Sequence, residues 1–243
     1  MLIDFSVKNY CSVNDKVTLT FMPTSDFDKK AGMYFIEPME GMKLLKFGTI
    51  LGANASGKTT ILRSLEILRI LTCDPISNKT RPFSFYASYW FGESKDTPTE
   101  LSVNFVQDGL QYQYEVSFNL RCVVSERLRV LNKRWLVIYT RTTNEENQTV
   151  NIKPGPRFVQ YRSDFKQLEA ATLWNNTVLG GSLKVSINIP PLQKAESWFV
   201  GYLFPMIDPD TNLYGYVSNL IDQGRIDKKR LLRYLKGADL MID

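Results

Sequence analysis

Residues 52–59 read Gly52-Ala53-Asn54-Ala55-Ser56-Gly57-Lys58-Thr59. They satisfy G-x-x-x-x-G-K-[ST] in full, and no other stretch constrains the fold as tightly. Two glycines five positions apart let the backbone bend closely enough for several N–H groups to converge on one small anion. A helix starting at the second glycine turns its positive end toward the same point. The flanks supply the order such a loop needs. Residues 44–51 form a short, mostly apolar run, which we read as a buried parallel strand. From Lys58 the apolar residues Ile61, Leu62, Leu65, Leu68 and Leu71 fall at helical spacing, and the helix should stop near Cys73-Asp74-Pro75. Strand, turn and helix together predict a nucleoside triphosphate site lined by Gly52, Ala53, Asn54, Ala55, Ser56, Gly57, Lys58 and Thr59. Lys58 is the catalytic candidate, reaching the β- and γ-phosphate oxygens. The Thr59 hydroxyl is the candidate ligand for Mg²⁺.

Composition narrows the remaining chemistry. The chain has no His, so it holds neither a Ser-His or Cys-His nucleophile pair nor a His-bearing zinc site. Its three Cys, at 11, 73 and 122, lack any C-x-x-C spacing and read as reduced core thiols of a cytosolic protein. The 243 residues are 44% hydrophobic and 23% charged, enough for a true core and unlike disordered or disulfide-scaffold chains. The net charge of +5 permits nucleic-acid contact without demanding it. Residues 1–5, with Asp4 among them, begin no signal peptide, and no run of 18 apolar residues occurs. A cytoplasmic location without membrane contact is the expectation.

Three regions follow from the periodicities. The first, residues 1–75, carries two alternating strands within residues 3–21, a polar loop or short excursion over residues 23–41, and the strand–turn–helix unit. The second, residues 76–160, is an antiparallel meander. Residues 101–105 and 112–118 alternate around the hairpin signal Asp108-Gly109, and further strands are expected around 123–130, 136–139 and 150–152, with a polar turn at 144–147. The third, residues 161–243, is helical, with helices expected at 164–175, 192–204, 213–223 and 227–237. The aromatic run at residues 83–91 reads as packing material more than as a base-stacking surface.

Hydrolysis needs an acidic residue at the end of an apolar strand. Residues 203–208 contain a Pro inside the would-be strand. Residues 217–222 read as helix, and residues 240–243 are short and follow Asp239. The second acid is therefore not expected among these residues. Leu179-Gly180-Gly181-Ser182 has part of an L-S-G-G-Q signature but lacks its leading Ser and its Gln, and reads as a plain loop.

The start Phe5-Ser6-Val7-Lys8-Asn9-Tyr10-Cys11-Ser12-Val13 resembles the x-N-[FY]-x-S opening of SMC/RecF-like ATPase heads. Residues 50–62 resemble their Walker A. More narrowly, the chain is similar to the ABC-like, AAA-type ATP/GTP phosphatases of prokaryotic abortive-infection and anti-phage systems, such as the PARIS ATPase subunit. Pro98-Thr99-Glu100-Leu101, Tyr112, Tyr114 and Ser125-Glu126-Arg127-Leu128 fit that family's β-subdomain.

The resemblance implies an α/β P-loop NTPase fold: an ABC-ATPase-like head with an inserted antiparallel β-subdomain and a helical segment. It extends the phosphate and Mg²⁺ site to Thr60 and puts Asn9 and Ser12 near the base or ribose, with a purely hairpin-forming role as the alternative. It implies ATP or GTP as ligand, a second ATPase head or a complementing chain as partner, and an effector such as a nuclease. Family heads also carry a signature helix, a Walker B strand and usually a switch His. The chain is therefore expected to be the N-terminal part of such a head. A non-hydrolysing, nucleotide-dependent interaction module is the alternative. DNA binding by the basic helix at residues 228–236 is a third, its Leu231, Leu232 and Leu235 packing on the core.

Overall fold

The computed structural model describes residues 1–24, 29–91 and 97–237. The chain divides into two units, Met1–Pro205 and Met206–Asp243. The first is organised by a seven-stranded antiparallel sheet in the order β2-β1-β5-β6-β7-β8-β9. Its strands are β1 (Leu2–Lys8), β2 (Val17–Thr20), β5 (Thr99–Gln107), β6 (Leu110–Phe118), β7 (Val123–Asn132), β8 (Arg134–Asn144) and β9 (Thr149–Pro154). Five strands of the expected meander thus join the two N-terminal strands in one sheet. Asp108 and Gly109, both at positive φ (50° and 71°), make the two-residue turn that the Asp-Gly signal predicts.

Alternation decides which face is covered. Leu101, Val103 and Phe105 of β5 and Tyr112, Tyr114, Val116 and Phe118 of β6 point to one side and are buried. Helices α1 (Lys58–Cys73), α2 (Arg162–Ala171), α3 (Val178–Ser182) and α4 (Pro190–Tyr202) belong to the same unit. From α4, Trp198 stacks on Phe105 at 4.1 Å between ring centres, and Phe199 meets Tyr114 edge-on at 5.2 Å. Pro190 and Pro191 form the first turn of α4, where a missing N–H costs nothing. The aromatic run divides: Phe83, Phe85 and Tyr86 pack around Phe118, while Trp90 and Phe91 are exposed.

A buried polar cluster fastens the sheet to α3. Glu126 Oε1 accepts the hydroxyls of Tyr114 at 2.9 Å and Tyr139 at 2.5 Å, and its Oε2 accepts the Val178 N–H at 2.7 Å. Arg141, also buried, donates to the carbonyls of Val123 and Trp174. Burial is the main influence on both groups, raising the Glu126 carboxyl and lowering the Arg141 guanidinium.

Three sequence expectations are corrected. The parallel strand at residues 44–51 does not form: β4 (Met42–Leu45) pairs antiparallel with β3 (Phe35–Met39) and ends at Leu45. Lys46 donates its N–H to Tyr34 O, after which Phe47 and Leu51 are 62% and 85% exposed. A parallel strand needs hydrogen-bonded neighbours and cover on both faces, and no described strand supplies them. Within residues 23–41 a 3₁₀ turn (Lys29–Tyr34) and β3 of the same hairpin form a short excursion.

The Gly-Gly segment is helical: α3 is capped by Thr177 Oγ1, which accepts the Gly180 N–H at 2.9 Å, and all five residues are buried. A Cβ at Gly181 would overlap Thr172 Oγ1, so close packing, not a loop, explains that glycine. Lastly, only Cys122 of the three free thiols is buried; Cys11 is exposed.

The second unit contains α5 (Tyr214–Asp222) and α6 (Lys228–Gly237). Asp227 caps α6, accepting the Lys229 N–H at 2.8 Å. Leu231, Leu232 and Leu235 are half-buried, and no residue of α6 is buried. No helix among the described residues is long and apolar enough to cross a membrane.

Candidate functional site

The glycine-rich segment leaves β4 as irregular chain and ends where α1 begins at Lys58. Gly57 precedes the helix at φ 89°, a left-handed conformation that glycine adopts without strain, and Ala55 also has positive φ (62°). At Gly52 the constraint is space: a Cβ there would come within 2.7 Å of Ser56 Oγ. The two glycines thus do different jobs, one setting the bend and the other letting the loop close on itself.

Lys58 lies across this loop. Its ammonium donates to Gly52 O at 2.8 Å and Ala53 O at 2.6 Å. Both acceptors are exposed carbonyls, so a phosphate oxygen approaching the loop can replace them with a charge-assisted bond. A cavity of about 160 Å³ opens beside the lysine, lined by Ala55, Ser56, Gly57, Lys58, Thr59, Thr60 and Ser12. That volume suits phosphate groups and is too small for a whole nucleotide. The donor set fits as well, combining a fixed ammonium, Ser and Thr hydroxyls and the positive end of a 16-residue helix.

Fixing α1 fixes the loop. Ile67, Leu68 and Leu71 form its buried stripe. At its far end Thr177 donates its hydroxyl to Leu71 O at 2.6 Å. Arg69 pairs with Glu66 and Asp74 on the other side.

The structure separates Asn9 and Ser12. Ser12 reaches the loop, its Oγ 3.4 Å from where a Cβ of Gly57 would stand. Asn9 is 1% exposed, and its carboxamide is used internally. Its Nδ2 donates to Thr97 O at 2.6 Å and Thr97 Oγ1 at 2.9 Å, while its Oδ1 accepts the Tyr89 N–H at 2.9 Å. Asn9 thereby holds residues 89 and 97 against the β1–β2 turn. Its positive φ of 54° suits the side chain that forms this network. Sequence reasoning missed Thr97 and Tyr89 because they lie 88 and 80 positions away, with no local signal joining them to Asn9.

The other candidates fall elsewhere. Residues 203–208 carry no strand, residues 217–222 lie in α5, and residues 240–243 lie outside the described residues. Leu179, Gly180 and Gly181 are buried within the first unit, so they present no surface to a nucleotide on another chain. No group of three or more His, Cys, Asp and Glu that could hold a metal occurs among the described residues. Thr59 is the loop's own candidate for Mg²⁺.

With this geometry in view, a family model described as "AAA domain, putative AbiEii toxin, Type IV TA system" matches residues 49–176. The match covers more than half of the 243 residues, from the approach to the loop through α1, β5 to β9 and α2. No curated protein matches the chain.

Proposed function

The chain belongs to this AAA-domain family of P-loop ATPases linked to abortive infection, and on that premise we propose that it is an ATP-binding module of a prokaryotic anti-phage system. The observation that carries the reading is the loop at residues 52–59 closed onto the start of α1, with the Lys58 ammonium held over its mouth. In this reading the residues from Gly52 to Thr60 bind the triphosphate, Lys58 balances charge on the β- and γ-phosphates, and Thr59 ligates Mg²⁺. Bound Mg²⁺ would supply charge neutralisation between the phosphates. Ser12 guards the cavity from the β1–β2 side.

A second ATPase head or a complementing chain completes the module, and nucleotide state then controls an effector such as a nuclease. Exposed Phe47 and Leu51, on a segment of strand-like composition with no described strand beside it, support a partner that pairs there. The alternative of a nucleotide-dependent interaction module that does not hydrolyse by itself is favoured by the same observation, because it leaves turnover to the completed assembly.

Titration with mantATP in Mg²⁺ buffer tests the core of the proposal. The wild-type chain should show saturable fluorescence enhancement, and Lys58→Ala should lose it. Equal binding by both removes the loop assignment.

A further inference from the structure

A second cavity, of about 870 Å³, lies in the first unit and shares no residue with the phosphate loop. Strand register places it. Leu2, Phe105, Tyr112, Val130 and Leu136 form one cross-strand row, and the cavity opens at that end of the sheet. Lys8, Glu100 and Ser117 form a row at the opposite end, where β1 runs into the turn that carries Ser12. The two cavities thus sit at opposite strand ends.

The lining combines two chemistries. Its floor is apolar, with Leu136, Phe158 and Pro190 beside Tyr112. Its rim carries Lys133, Arg134, Arg157 and Lys194. Lys194 pairs with Asp108 at 3.8 Å, whereas Lys133, Arg134 and Arg157 form no ion pair among the described residues. Three uncompensated cations around a concave surface attract and orient an anion. Tyr112 adds an independent observation: it is 0% exposed, and its hydroxyl has no hydrogen-bond partner. A buried hydroxyl left unpaired costs free energy that a ligand acceptor can recover. Burial and the nearby Asp108 push this phenol up to about 12, so it stays a proton donor at neutral pH.

We propose that this cavity is a second, separate site for a nucleotide-class small molecule, its flat ring on the Phe158–Pro190 floor and its phosphate at the Arg134–Arg157 rim. The volume lies in the range of sites for ligands of that size. A planar, phosphorylated molecule meets all three features at once: apolar floor, cationic rim and a buried phenol lacking an acceptor. The site is independent of the phosphate loop, so the two assignments stand or fall separately.

Equilibrium dialysis of the Lys58→Ala chain against radiolabelled AMP and ATP tests it, because that variant silences the loop. Saturable binding of at least one of them is expected at about one equivalent per chain. Arg134→Glu with Arg157→Glu, both exposed positions, should weaken it about tenfold or more while leaving the circular dichroism spectrum unchanged. Tyr112→Phe should lower affinity several-fold while leaving the ligand-free protein no less stable, since it deletes only an unpaired hydroxyl. The proposal is overturned if Lys58→Ala binds neither nucleotide up to millimolar concentration. It is also overturned if the double charge reversal leaves binding intact.

Discussion

The Lys58 ammonium stands 2.8 Å from the carbonyl oxygen of Gly52, so the one basic residue of the loop closes over its first glycine. The contact is exposed and exchangeable, and it holds the lysine at the mouth of the phosphate cavity. Lys58→Ala should therefore leave folding stability within about 0.5 kcal/mol of wild type. Urea denaturation checks this. A large loss of stability would make Lys58 a structural residue and undercut its use in the binding assay.

Glu126 should behave in the opposite way. Glu126→Ala strands the hydroxyls of Tyr114 and Tyr139 and the Val178 N–H, and removes the acid facing Arg141. We expect a loss of about 3–5 kcal/mol. Glu126→Gln keeps the shape and an acceptor and should lose about 1–2 kcal/mol. Equilibrium denaturation of both variants orders the two outcomes.

The same residue sets a pH dependence. Burial raises the Glu126 carboxyl above its ordinary value of 4.5, against the opposing pull of Arg141 and of the bonds from Tyr139, Val178 and Tyr114. The folded state thus holds this proton more tightly than the unfolded chain does. The resulting stability is fully present below the unfolded value and is lost as pH rises through the folded one. The advantage of wild type over Glu126→Gln should narrow as pH rises from about 4.5 toward neutrality. Melting temperatures across that window report the sign, and a widening gap contradicts it.

Gly181→Ala places a Cβ into Thr172 Oγ1, and the Thr172 hydroxyl is itself bonded to Leu168 O at 2.7 Å. Helix propensity favours Ala, but the collision should dominate, at about 1–3 kcal/mol. A double-mutant cycle with Thr172→Ala should recover part of that loss. Simple additivity of the two changes would show that the contact is not the cause.

Asn9→Ala should cost about 1–3 kcal/mol by leaving Thr97 and the Tyr89 N–H without this partner. Limited proteolysis should also show faster cleavage near residue 89. A variant that keeps its stability but loses nucleotide would return Asn9 to the ligand.

How much was legible in the sequence depended on how far apart the deciding residues lie. The loop at residues 52–59, the Asp108-Gly109 hairpin and the alternating strands around it are local patterns, because bending, turn geometry and side-chain alternation are settled within a few residues. Helices α2, α4, α5 and α6 were visible for the same reason, whereas the short α3 read as a loop. Residues 44–51 look like a parallel strand by composition, but strand formation needs a hydrogen-bonding neighbour that composition does not provide.

Tertiary structure alone decided the rest. It placed Asn9 against Thr97 and Tyr89, buried Gly180 and Gly181 in α3, and gathered Lys133, Arg134, Arg157 and Lys194 around one cavity. Each of these is a relation between residues far apart in the chain. The phosphate loop is a property of eight consecutive residues, and the sequence by itself determined it. Which groups are buried, paired or left waiting for a partner follows from the packing of distant segments, which no local pattern encodes.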